Sequence, residues 1–158
     1  MKTTVIALTG SREHPKPELA VYTIFDYTLN EAPGPVVVRH GACPGENSVD
    51  AVVAAWIDEH GALLGISQDP IPADWDNCAA NCPATPEHRR RKKPGDTAHP
   101  GRLDTYCPGA GPRRNAEMLT KTPRPEALIA APHGRSVGTR GCMRLAEKAG
   151  IRVCEVTA

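Results

Sequence analysis

The chain has 158 residues and a mass of 16.9 kDa, with a formal charge of +1 and a pI near 7.7, enough for one core and too little for two complete domains. A charge so close to neutral gives no global attraction to nucleic acid, membrane surfaces or polyanions. No apolar run reaches the roughly 20 residues of a membrane span. The opening MKTTVIALTGSREH is too short in apolar residues for a signal peptide. A cytosolic setting is therefore expected, where the six cysteines serve as thiols or metal ligands rather than disulfides. With only 4% aromatic residues, the core must be built from small aliphatic side chains.

Residues 3–10, TTVIALTG, read as a buried strand running into a glycine turn. A helix is expected from about Lys16 to Asn30 with Leu19, Tyr22, Ile24 and Phe25 inward. The β-branched segment 34–41, GPVVVRHG, is a second strand. In 46–61, Val49, Val52, Val53, Trp56 and Ile57 recur at helical spacing and Gly61 reads as the stop. A weaker strand lies near 62–67. After a long polar interval come a helix over 110–121 with a proline in its first turn, a strand over 126–134, a helix over 136–150 and a strand over 151–156.

Strands alternating with helices at this spacing pair in parallel through right-handed crossovers, which makes the fold class α/β, a Rossmann-like doubly wound and mostly parallel sheet. Such sheets bind ligands beyond the carboxyl ends of their strands. Here the strand ends carry Thr9-Gly10-Ser11-Arg12, His40-Gly41-Ala42-Cys43 and Pro132-His133-Gly134-Arg135. Three glycine-bearing loops on one edge present backbone N–H groups to an anion, most naturally phosphate. Each glycine taken singly is equally explained by a tight turn, and His40 and His133 suit either ligand contact or turn packing.

The segments VIALTGSRE, VVVRHGACPGENSVDAVVAAW, PADW, AGPRRNAEML and ALIAAPHGRSVGTRGCMRLAEKAGIRV together resemble the SLOG superfamily, and more closely its branch related to the YspA and YpsA proteins of bacteria and actinobacterial phages. The resemblance covers nearly the whole chain. Its most specific pieces are G-P-R-R-N-x-x-M and, a strand later, H-G-x-x-x-G-T. It implies a modified Rossmann fold binding a nucleotide or a nucleotide-derived small molecule, with pairing of two copies through helices beside the pocket.

Position by position, it implies Gly10, Ser11 and Arg12 at the first strand end. Gly41, Ala42 and Gly45 form the second loop, where Asn47 stands at a position that the superfamily usually fills with Asp. Arg113, Arg114 and Asn115 approach the ligand from a helix start, and Gly134, Gly138 and Thr139 form a phosphate cradle. In the related LOG phosphoribohydrolases the cradle continues to a glutamate that acts in N-glycosidic cleavage. This chain has Cys142 there, and a thiol does not replace a carboxylic acid. Nucleotide binding is therefore the leading expectation, and an N-glycosidase using an acid from elsewhere is the alternative. Candidates are Asp50 and Glu117, with Glu46 and Asp74 also near the pocket loops, and Arg114 beside them. Trp75 of PADW either stacks a base or anchors the strand end. Cys43 and Cys154 read as small buried hydrophobes, and Cys142 as packing or as a thiol of lowered pKa.

Between PADW and GPRRN lies an insertion of about residues 76–109 without apolar periodicity. Cys78 and Cys82 flank three residues, His88 follows, and Cys107 closes the segment. Three thiols and an imidazole make a complete structural zinc set, with His99 as the alternative to His88; a solvated loop with incidental thiols and a redox disulfide are the other readings. A metal fixes from within a polar segment that cannot bury itself. The basic run Arg89 to Lys93 is either a solvated face or a source of positive potential at the pocket. Little aromatic interleaving argues against nucleic acid as partner, leaving a nucleic-acid adaptor as the third reading.

Overall fold

In a computed structural model, which describes residues 1–156, the apolar runs form parallel strands β1 (Thr4–Gly10), β2 (Val36–His40) and β3 (Ile66–Pro70). Two-residue strands β4 (Arg90–Arg91) and β5 (Thr105–Tyr106) follow in the insertion and pair with each other. Strands β6 (Ala127–Ala131) and β7 (Arg152–Glu155) complete a five-stranded sheet of order β3-β2-β1-β6-β7. Every pairing in that sheet is parallel. The architecture is thus α/β and Rossmann-like, as the alternation of patterns implies.

Helices α1 (Glu18–Asn30) and α2 (Val49–Trp56) cover one face of the sheet, while α4 (Ala110–Thr120) and α5 (Val137–Lys148) cover the other. The two-residue period of β1 divides its side chains accordingly. Ile6 and Leu8 join Val21, Ile24 and Val53 on the first face, and Ala7 joins Met118, Cys142 and Ala146 on the second. No helix among the described residues is long and apolar enough to cross a membrane.

Three expectations on this face need correction. In α1 the buried residues are Ala20, Val21, Ile24 and Tyr27, whereas Tyr22 and Phe25 are exposed at 63% and 37%. Small residues let the helix approach the sheet, and Tyr27 is buried because its hydroxyl donates to Glu126 Oε1 at 2.6 Å. Gly61 does not stop the second helix. The chain continues through a π-helical turn (Ile57–Gly61) and the short α3 (Ala62–Leu64) to Gly65 at φ 70, which shifts the third strand to begin at Ile66. What Gly61 supplies is room, since a Cβ there would stand 2.3 Å from the Ile66 carbonyl oxygen.

A buried arginine ties the sheet to the helix that enters the site. Arg39 on β2 is 1% exposed and pairs with Asp69 on β3 at 2.9 Å. It also donates to the carbonyls of Met118 and Lys121 at 3.0 Å and of Pro123 at 3.1 Å. Those carbonyls lie at and just beyond the C-terminal end of α4, where a helix leaves acceptors unpaired. The guanidinium therefore fixes α4 against the strand edge.

Chain order reverses between β1 and β6, since one side continues to β2 and β3 and the other to β7. The loops leaving these two strands diverge and open a crevice at their carboxyl ends. The insertion closes over that crevice.

Candidate functional site

The crevice is a cavity of about 960 Å³, at the upper end of the size range of small-molecule pockets. Its floor is the end of β1 with Gly10, Ser11 and Arg12, and its sides include Gly41, Arg114, Asn115, Gly138 and Thr139. The loops are cross-tied: Ser11 N–H donates to Ala131 O and Val49 N–H to Ser11 O, both at 3.1 Å. The three glycine-bearing strand ends thus act as one framework.

Arg114 is set by backbone and side chain together. Its Nη1 donates to the Gly41 carbonyl, and its Nε to Asn115 Oδ1 at 2.9 Å. A Cβ at position 41 would lie 2.3 Å from Arg114 Nη1, so the guanidinium can rest there only on glycine. Asn115 reaches on to the Gly138 carbonyl at 3.4 Å, linking the start of α4 to the start of α5. Before α5, Ser136 adopts φ 39, and its buried Oγ has no hydrogen-bond partner among the described residues. The N-terminus of α5, with its free N–H groups and positive dipole end, faces the same cavity.

Two carboxyl side chains line the cavity, the exposed Glu13 and the buried Asp50, which is 4% exposed. Its Oδ2 accepts the Cys43 N–H at 3.2 Å, and its Oδ1 has no partner among the described residues. Burial pushes its pKa above the ordinary carboxylate range, against the opposing pull of His40, the Cys43 N–H and Arg114. Glu117 is exposed on the outer side of α4, removed from any role in the cavity. Asn47 is exposed too and engages the site only through its carbonyl, which accepts the His14 N–H at 3.1 Å. Ala42, Gly45 and Gly134 shape the loops with φ of 52, 122 and 61 without lining the cavity. His40 takes the turn role, with Nδ1 accepting the Ala42 N–H at 3.0 Å. That leaves Nε2 as the donor to Gln68 Oε1 at 2.7 Å.

Arg113 departs from expectation. Its guanidinium turns away from the cavity and donates to Cys82 Sγ at 3.4 Å, Cys107 Sγ at 3.6 Å and the Asn77 carbonyl at 2.9 Å. It meets there the four residues singled out as ligands. The ligand atoms of Cys78, Cys82, His88 and Cys107 all lie within 4.8 Å of one another, so the group could hold a metal ion. His99, the alternative ligand, is elsewhere: its Nδ1 pairs with Asp96 Oδ2 at 2.9 Å. Arg89 Nη1 donates to Cys78 Sγ at 3.5 Å, so two guanidinium groups face the thiol cluster. Burial pushes the Cys107 thiol up, but bonds from Arg113 and His88 outweigh it and bring it to about 6.

The insertion contains this cluster and the β4–β5 pair. The entry into β4 splits the basic run: Arg89, just before the strand, serves the thiols and Arg90, its first residue, lines the cavity, so the run is not one solvated face. Arg90 and Tyr106 are cross-strand partners and both line the cavity with His99 and Trp75. Arg12 Nη1 donates to the Ala98 carbonyl at 3.1 Å, joining the insertion to the first glycine loop. Sequence reasoning missed Arg90, His99 and Tyr106 as cavity residues, and also Ser136, Arg144 and Lys148. The last two had a signal, since Gly141, Arg144 and Lys148 fall three and four apart on one face of α5.

Cys142 is fully buried and burial pushes its thiol up to about 11, so of its two readings the structure selects packing. Cys43 is raised to about 11 for the same reason. Cys43 and Cys154 are half-buried rather than enclosed.

Among known proteins, the chain is 30% identical over 148 residues to the Gene 61 protein of Mycobacterium phage D29, an alignment that covers 94% of this chain and 92% of that protein. No protein-family model matches the chain.

Proposed function

The chain belongs to the family of the Gene 61 protein of Mycobacterium phage D29, and we propose that it binds a nucleotide or nucleotide-derived small molecule in the crevice beyond β1 and β6, in the manner of SLOG-type proteins. The observation that carries this reading is the convergence on one cavity of Arg114, the α5 N-terminus and the partnerless Ser136 Oγ. Unpaired N–H donors, a hydroxyl and a planar guanidinium suit a phosphate group. A small molecule is favoured over a nucleic-acid strand because Arg89 and Arg90 of the basic run are engaged at the thiol cluster and the cavity.

Thermal-shift titration with AMP, GMP, CMP, UMP and NAD tests the reading. At least one should raise the melting temperature, and Arg114→Ala should weaken that ligand by about 10- to 100-fold, the scale of one lost charge-assisted contact. If no compound on the panel shifts the melting temperature, the reading fails.

For the metal we propose zinc, in a structural role. Zinc bonds of about 2.3 Å to sulfur and 2.0–2.1 Å to nitrogen give tetrahedral edges of about 3.8 Å between sulfurs and about 3.5 Å between sulfur and nitrogen. Cys82 Sγ and Cys107 Sγ are 3.8 Å apart and His88 Nε2 is 3.4 Å from Cys107 Sγ. Three thiolates exceed the charge of a divalent ion by one, and Arg89 and Arg113 supply the balancing charge. The four ligands fill the coordination sphere, which suits a structural centre.

A second reading, hydrolysis of a nucleotide N-glycosidic bond, rests on the buried Asp50 with its partnerless Oδ1 in the same cavity. A carboxyl of raised pKa retains its proton closer to neutrality and can act as a general acid. The reading predicts free base released from a nucleoside monophosphate, a rate that falls as pH rises through the raised Asp50 value, and a loss of about 100-fold or more in Asp50→Asn. Chromatography showing no base from any of the four monophosphates would dismiss it.

A further inference from the structure

The insertion brings more to the cavity than a lid. His99 and Tyr106 stack with ring centroids 3.7 Å apart and planes inclined by 7°. Trp75 stands 4.7 Å from His99 and 5.8 Å from Tyr106, nearly perpendicular to both. Since those distances place Trp75 beside the stack and not on top of it, Trp75 does not cover the second face of His99. All three rings line the cavity.

The arrangement is held from several sides. Asp96 accepts the backbone N–H of Ala98 and of His99 and also pairs with the imidazole. Tyr106 is registered opposite Arg90, and its neighbour Cys107 is a thiol of the metal cluster whose N–H donates to the Trp75 carbonyl at 2.9 Å. The Trp75 ring edge rests on Gly111, where a Cβ would lie 3.0 Å from its Cη2. In a chain with so few aromatic residues, three rings clustered on a cavity wall call for a reason, and packing does not supply it because none of the three is buried.

We propose that the metal-held insertion is the base-recognition wall of the pocket, with the planar heteroaromatic ring of a nucleotide lying against the His99–Tyr106–Trp75 cluster and Arg90 at its edge. The inference rests on the nucleotide reading above and assigns the half of the ligand that the glycine loops do not. It makes the ligand a base-bearing nucleotide, not a sugar phosphate. Aromatic stacking is tolerant of base identity, so discrimination among bases falls to Arg90 and to the polar edge of His99.

The test separates the two halves. Ribose 5-phosphate is titrated in parallel with AMP, GMP, CMP and UMP. In a Trp56→Phe background Trp75 is the sole tryptophan, because the chain has two, and its fluorescence reports the wall directly. The best nucleotide should bind at least about tenfold more tightly than ribose 5-phosphate, with His99→Ala lowering nucleotide affinity by about 10- to 100-fold and sparing ribose 5-phosphate. Only the nucleotide should quench Trp75. His99→Phe, which keeps a stacking face, should retain most of the affinity and guards against a merely unfolded loop. Equal affinity for ribose 5-phosphate and every nucleotide, or equal loss of both in His99→Ala, overturns the inference while the phosphate site stands. Binding of neither class overturns the pocket reading itself.

Discussion

Replacing Arg39 by methionine is expected to lower the unfolding free energy by about 3–5 kcal/mol, the cost typical of removing one partner from a buried ionic network. The loss strands the carbonyls of Met118, Lys121 and Pro123 as well as the Asp69 bond. An unpaired buried acceptor costs about 1–3 kcal/mol, which applies to the Met118 carbonyl, the buried one of the three, whereas Asp69 retains Lys121 at 3.0 Å. Urea unfolding at pH 7 checks this, and a change below about 1 kcal/mol would show that α4 is held by other means. The same network gives a pH signature. Burial pushes the Asp69 carboxyl up, but its bonds from Lys121 and Arg39 prevail and hold it below its ordinary value. A depressed folded pKa contributes stability above the unfolded value near 4 and loses it as pH falls through the folded value. Asp69→Asn should therefore differ from the wild type at neutral pH and converge with it in acid.

The second large effect is at the metal. Cys107→Ser should abolish zinc retention through purification and open the insertion, so that trypsin cleaves within the Arg89–Lys93 run of the variant and spares the loaded wild type. Comparable sites in small peptides bind zinc with about 10–16 kcal/mol of apparent free energy. Two paired residues on each of β4 and β5 cannot match that. Cys107 is the telling position because its carbonyl accepts the Ala110 N–H and its N–H reaches Trp75, so it couples the metal to the helix bearing Arg114. Elemental analysis of the two proteins decides the point. A variant with wild-type zinc content, or a wild type without zinc, removes the metal from the account.

The sheet was legible because VIAL, VVV and ALIAA cannot be anything but buried strands in a chain that alternates them with amphipathic stretches. The inward face of α1 was misread because aromatic size suggested burial at Tyr22 and Phe25, whereas close approach to the sheet favours Ala20 and Val21. The cysteine–histidine cluster was legible from ligand chemistry and spacing, and the structure brings His88, not His99, to the three thiols. What spacing could not reveal was the direction of side chains on adjacent residues. Arg113 and Arg114 are neighbours on one helix, separated by about 100° around its axis, and so serve two different sites. Nothing in its helix marks Asp50 as buried; only the fold brings the Cys43 loop over it. The wall of Trp75, His99 and Tyr106 was out of reach for the same reason, since its members are 24 and 7 residues apart and meet only in the folded insertion.

In the proposed pocket, the sheet edge and the insertion, held by zinc, jointly build one binding cavity. Calorimetric titration of the tightest-binding nucleoside monophosphate into zinc-loaded and zinc-stripped protein tests it most directly. Stripping should weaken nucleotide binding by at least about tenfold while far-ultraviolet dichroism keeps the signature of the intact sheet and helices. Equal affinity in the two forms would contradict it.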